Sequence, residues 1–159
     1  LHQVKDVKKR HKDKDMKRMF ITIAIVLASV TFAKADDRPV TFEQLPKAAQ
    51  TFINTNFPKD KVSFATVDDD IIAPDYEVAL VSGVMMQFRN DGSLESIKSR
   101  TGNIPAGIIP QQIINGVKGY YPDAMILEYD IDRLSYEVKL SNRMEIKFDR
   151  NFNIIEIDD

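Results

Sequence analysis

Two hydrophobic rhythms alternate along the chain from about residue 42. Leu45, Ala48, Ala49, Phe52, Ile53 and Phe57 recur at the three- and four-residue spacing of a single helical stripe. Pro46 suits the first helical position, and Thr41 with Gln44 has the spacing of a capping box for an earlier start. Phe57-Pro58 ends the helix, because a residue before proline is pushed out of the α region. The rhythm then shortens to two. Tyr76, Val78 and Leu80 alternate with Glu77 and Ala79, and Val84, Met86 and Phe88 resume the inward set after a turn. Residues opposed in an antiparallel pair share a face, so Leu80 is expected opposite Val84, with Gly83 closing the loop at φ > 0. Asn90-Asp91-Gly92 predicts a second hairpin turn, with Leu94 opposite Phe88 and a strand running to about Ile97. Residues 61–67 read as a further strand ahead of these.

The same pattern then returns. Leu45-Pro46 and Phe57-Pro58 recur as Ile109-Pro110 and Tyr121-Pro122, at an offset of 64. After a four-residue deletion, Tyr76-Glu77-Val78-x-Leu80 recurs as Tyr136-Glu137-Val138-x-Leu140, at an offset of 60 that holds through Ile97 and Ile157. In the second copy Tyr136–Phe148, Val138–Ile146 and Leu140–Met144 are expected inside. Outside, Glu137–Lys147 and Lys139–Glu145 then match in charge, a check independent of the apolar face that set the register. The predicted fold is α+β, with two tandem α-β-β-β-β repeats, each one helix packed on an antiparallel β-meander. The repeats are placed at 36–100 and 101–159, with residues 98–107 as linker. One unit of about 60 residues buries a marginal core, so the copies are expected to pack together or share a sheet.

Leu-Pro, a helix, aromatic-Pro, Tyr-x-Val-x-Leu, Gly83 and Phe88-x-x-x-Gly92 together resemble the PepSY-like family of secreted bacterial proteins. The architecture is similar to that of the tandem-repeat β-lactamase inhibitory proteins. The resemblance spans residues 42–158. It implies a non-catalytic module that inhibits or modulates a peptidase or other envelope protein. The matching residues are core aromatics and turn glycines, so the resemblance bears on fold more than on activity. The second copy departs from it at Arg143 and Phe152, which replace Gly83 and Gly92, and those two loops are therefore expected to differ in shape.

Charge divides the chain differently. Residues 1–35 carry nine Lys or Arg against three Asp, a net +6, so the remaining 124 residues carry −8. The apolar run at 20–33 is shorter than the roughly 20 residues a spanning helix needs. It follows Lys17-Arg18 and ends in Ala33-Lys34-Ala35, the pattern of a cleavable secretory signal peptide cut before Asp36. Met16 opens such a signal by itself, which places the expected translation start there. No Cys follows the run, so neither lipid attachment nor a stable membrane anchor is expected. The expected product is soluble, in the periplasm or secreted. Its acidity argues against nucleic acid as a partner. Both histidines, His2 and His11, precede the cut and the chain has no Cys, which excludes Cys–His and Ser–His–Asp catalysis and imidazole or thiolate zinc from the remainder.

Three groups of residues could carry chemistry. Asp68, Asp69, Asp70 and Asp75 crowd the predicted loop between the first two strands, with Asp130 and Asp132 at the equivalent place in the second copy. Clustered carboxylates suit Ca2+, although the spacing is not that of an EF-hand; a solvated acidic loop is the plainer expectation. The second group is the sheet face away from the helix. Glu77, Ala79, Met85 and Gln87, with Val81 in the adjoining loop, make it unusually apolar in the first copy, as a protein-binding surface would be. Packing against the second copy or the linker at 104–109 would equally explain it. Third, Glu77 and Glu137 form a carboxylate pair by repeat symmetry, and Ser96/Lys98 and Ser135/Lys139 form Ser/Lys pairs, none with an oxyanion signature. The reading is a non-enzyme that binds a protein or envelope component, with no cofactor required and Ca2+ the one alternative.

Overall fold

The computed structural model describes residues 37–159, apart from 69, 71 and 103. The predicted leader lies outside the described residues. A short strand, β1 (Arg38–Pro39), and a 3-10 turn (Phe42–Gln44) lead into helix α1 (Lys47–Asn56). The Thr41 backbone N–H donates to Gln44 Oε1 at 2.8 Å, so the capping box forms, but on the 3-10 turn. Strands β2 (Val62–Val67), β3 (Tyr76–Leu80), β4 (Met85–Phe88) and β5 (Leu94–Lys98) follow. Helix α2 (Gln111–Tyr120) then precedes β6 (Ile126–Ile131), β7 (Ser135–Leu140), β8 (Glu145–Asp149) and β9 (Ile154–Asp158). Pro46 and Pro110 stand at the caps, one residue before the first helical position expected for them, with φ near −53°. Phe57 and Tyr121 end the helices by donating their N–H groups to Ile53 and Val117 carbonyls.

Among the described residues the strands form one nine-stranded antiparallel sheet in simple chain order, β1 to β9. What joins its halves is β5 against β6, with Ser96, Ile97 and Lys98 opposite Asp130, Tyr129 and Glu128. Lys98 is therefore a strand residue, and Ser99 donates its N–H to the Leu127 carbonyl. The connection between the halves starts later than the linker expected at 98–107. Its Ile104, Ile108 and Ile109 pack on the core.

Both helices cover the same side of the sheet. Ala49 and Ile53 of α1 and Ile113 and Val117 of α2 join Val78, Met86, Phe88, Ile97, Tyr129, Val138, Ile146 and Phe148 in one buried cluster. The predicted registers hold: Tyr136 faces Phe148, Val138 faces Ile146, and Leu80 donates its N–H to the Val84 carbonyl. One expectation fails. Gly83 and Gly92 turn at φ 88° and 80°, and Arg143 and Phe152 adopt the same region at 72° and 65°. The loops have the same shape because the same bonds close them: Gly83 N–H to Leu80 and Arg143 N–H to Leu140, Gly92 N–H to Arg89 and Phe152 N–H to Asp149. Backbone closure thus overrides the preference of these side chains for φ < 0.

Candidate functional surface

The helices leave the other side of the sheet open, and strand alternation decides what stands there. One row across that face runs Phe64, Ala79, Met85, Lys98, Glu128, Lys139, Glu145. A parallel row runs Thr66, Glu77, Gln87, Ser96, Asp130, Glu137, Lys147.

The two halves of this face differ in kind. In the first half Phe64 is half exposed, Met85 is exposed, and Val81, in the loop beyond Leu80, is 70 % exposed. Ala79 is only 7 % exposed, since it stands in register between Phe64 and Met85 and is too small to rise past them. Glu77 is half-buried and Gln87 exposed, with its Oε1 accepting from Ser96 Oγ at 3.1 Å. In the second half the face is ionic. Glu128 takes Lys98 at 2.8 Å and Lys139 at 3.8 Å, and Lys139 also reaches Glu145 at 3.8 Å. Burial, and next the charge of Glu128, push the Asp130 carboxyl up to about 6, against the opposing pull of Lys139.

The predicted binding residues Glu77, Ala79, Met85 and Gln87 thus share one face, with Val81 at its border. Phe64 escaped sequence reading because its strand was placed without a register; strand parity from Ala65 and Val67 would have found it. The Lys98–Glu128 bridge had no sequence signal, since it depends on the pairing of β5 with β6.

The acidic residues are less well gathered. Asp68 Oδ1 accepts the Asp75 N–H at 3.0 Å, and Asp70 Oδ1 accepts the Ile72 N–H at 2.9 Å, so both carboxylates serve to shape their own loop. That loop presents Ile72, 90 % exposed, at its tip. Asp130 lies within β6, one residue before its end, and Asp132 follows in the loop, accepting the Arg133 N–H at 2.6 Å. Among the described residues no three His, Cys, Asp or Glu side chains converge as a metal-ligand set.

Comparison with known proteins follows the same outline. The family model described as beta-lactamase-inhibitor-like, PepSY-like matches residues 32–95 and again 74–156. No curated protein matches the chain. A periplasmic protein of the DUF2874 family from Bacteroides vulgatus is similar in structure, with TM-score 0.74 and 39% identity over 80% of this chain and 100% of that one. A protein from Bacteroides thetaiotaomicron, given the provisional name of calcium-regulated periplasmic protein, has TM-score 0.73 and 40% identity over 77% of this chain and 97% of its own. A second Bacteroides vulgatus periplasmic protein, of unknown function, has TM-score 0.72 and 26% identity over 77% and 99%.

Proposed function

This chain belongs to the PepSY-like, beta-lactamase-inhibitor-like family, and on that premise we propose that it is a non-enzymatic periplasmic binding protein. It would act by covering and so modulating a peptidase or another envelope protein. Its two halves are read as copies of one helix-plus-meander unit. The periplasmic placement draws on the names of its relatives and on the expected signal peptide at 16–35. Among the described residues no helix is long and apolar enough to cross a membrane.

The observation that carries the reading is the uncovered row Phe64, Ala79, Met85, bordered by Val81 and flanked by the ionic half of the same face. An apolar centre beside charged groups is the arrangement from which protein interfaces are made. The test is capture from an envelope extract on the immobilised full chain, run beside Met85→Glu. A partner retained by the original chain and lost by the variant, with circular dichroism unchanged, supports the reading. Equal capture by both, or by neither, counts against it.

A second reading, calcium binding, is favoured by the provisional name of the 40% identical relative and by the acidic loop at 68–75. Asp68 and Asp70 each already hold backbone N–H groups through Oδ1, so a cation would be met chiefly by their Oδ2 atoms. Titration calorimetry with Ca2+ decides it; no heat and no thermal shift would dismiss the idea.

A further inference from the structure

Where the halves of the sheet meet, at the end marked by Arg89 and Ile131, the surface opens into a cleft of about 380 Å³. Its walls are Arg89, Glu95, Ile131, Asp132, Arg133 and Arg150. Three arginines line it, in a domain whose net charge beyond residue 35 is −8.

The three arginines are held to different degrees. Arg89 is a fixed wall, donating to the Leu94 carbonyl at 3.1 Å and across the halves to the Ile131 carbonyl, with Glu95 at 3.4 Å. Arg150 lies over the Tyr136 ring at 4.4 Å and donates one bond, at 3.3 Å, to the Asp132 carbonyl. A guanidinium has five N–H donors, so Arg150 keeps several in hand. The Arg133 side chain has no hydrogen-bond or ion-pair partner among the described residues. One guanidinium is thus oriented by stacking, one is unengaged, and a third closes the back.

We propose that this cleft is a binding site for a single carboxylate group, held by Arg133 and Arg150. The planar fork of arginine matches a carboxylate through two parallel hydrogen bonds. The charge count selects a monoanion: three arginines against Glu95 and Asp132 leave one positive charge, which one carboxylate neutralises and a phosphate dianion oversteps. The carboxylate could be carried by a peptide C-terminus or by an acidic side chain. The site lies at the sheet end, separate from the apolar row, and does not depend on the reading given to that row.

Three probes of matched size, with inorganic phosphate beside them, test it on the full chain by chemical-shift titration: N-acetyl-dialanine, its C-terminal amide, and N-acetyl-aspartate α-amide, in which only the side-chain carboxylate is free. Shifts at Arg133 and Arg150 with either acid, and none with the amide, support the site and identify the source of the carboxylate. Arg133→Gln should weaken the acid roughly tenfold, and Arg133→Lys less. Arg133 is exposed, so the thermal midpoint should stay in place. Equal response to acid and amide overturns the proposal, as does unaltered affinity in a folded Arg133→Gln. Stronger binding of inorganic phosphate than of the acids overturns it too. If a variant fails to fold, the acid-against-amide difference on the unaltered chain still decides.

Discussion

In the first half of the molecule a phenylalanine on the helix, Phe52, meets Phe88 edge-on at 5.7 Å, and the last hairpin turns on Gly92. In the second half Gly116 stands where Phe52 stood, and Phe152 where Gly92 stood. Large on the helix and small on the hairpin has become small on the helix and large on the hairpin. Each choice is locked by its surroundings. A Cβ on Gly92 would lie 2.9 Å from Ala49 N and from Pro46 Cβ, at the start of α1. A Cβ on Gly116 would lie 2.8 Å from Phe148 Cε1. Phe152 stacks on Tyr136 at 5.3 Å, and Tyr136 in turn stacks on Tyr129 at 6.1 Å. One backbone therefore supports two internally consistent packings, and exchanging single residues between them should fail even though the positions correspond.

The largest effect is expected at Gly92→Ala. Both the positive φ and the backbone of α1 oppose the added methyl, so it should lower unfolding free energy by about 3 kcal/mol, read from the urea midpoint. Gly116→Ala should cost less, about 1 kcal/mol, because a ring edge can shift and alanine returns about 1 kcal/mol of helix propensity. Should the two changes cost the same, the packings are less distinct than described. The third test separates backbone from packing. A Cβ on Gly83 would meet nothing within 4 Å, so Gly83→Arg carries only the left-handed cost, about 1 kcal/mol. Arg143→Gly should gain a similar amount, and the double exchange should come out near zero.

The smallest effect concerns the ionic half of the open face. The Asp130 carboxyl, raised to about 6 by burial and by Glu128, binds its proton more tightly in the folded chain than in the unfolded one. Its contribution is therefore complete below the ordinary aspartate range and is lost as pH rises through about 6. Stability should rise as pH falls from 7.5 to 5.5, and Asp130→Asn should flatten that rise. Further acidification should reverse the trend. Asp91 and Asp149 are held below the usual carboxylate range by Ser93 and Asn153, and protonating them removes those bonds. A flat profile in the original chain would remove Asp130 from the account.

Strand registers were legible because one face of each hairpin is buried, and a slip of one residue would invert it. Helix ends were legible from Phe57-Pro58 and Tyr121-Pro122. The shape of the second-half loops was not, because Arg143 and Phe152 do not advertise a positive φ that hydrogen-bond closure imposes. The β5–β6 joint was equally hidden. Either strand could have ended its own meander, and only the pairing itself brings Lys98 to Glu128. For the open face, five residues of alternating pattern were visible. Phe64 and the bridging ions were not, and neither were the three arginines: Arg133 and Arg150 approach across the β7–β8 hairpin, and Arg89 joins them only through the joint.

Arg89 and Asp149 occupy corresponding places at the bases of the two last hairpins. Arg89 donates to Ile131 of a neighbouring strand; Asp149 instead accepts N–H groups of its own loop from Asn151 and Asn153 at 2.8 and 2.9 Å. The same difference runs along the strands that follow. Ser96, Ile97 and Lys98 of β5 become Glu156, Ile157 and Asp158 of β9, the last strand of the sheet. A third unit pairing there as β6 pairs on β5 would place its Glu128 equivalent against Asp158 instead of a lysine. Acid against acid at that position would oppose the addition electrostatically. Glu156 and Asp158 would likewise repel their counterparts if β9 of one molecule approached β9 of another, so the charge that opposes a further unit also guards this edge against pairing with itself.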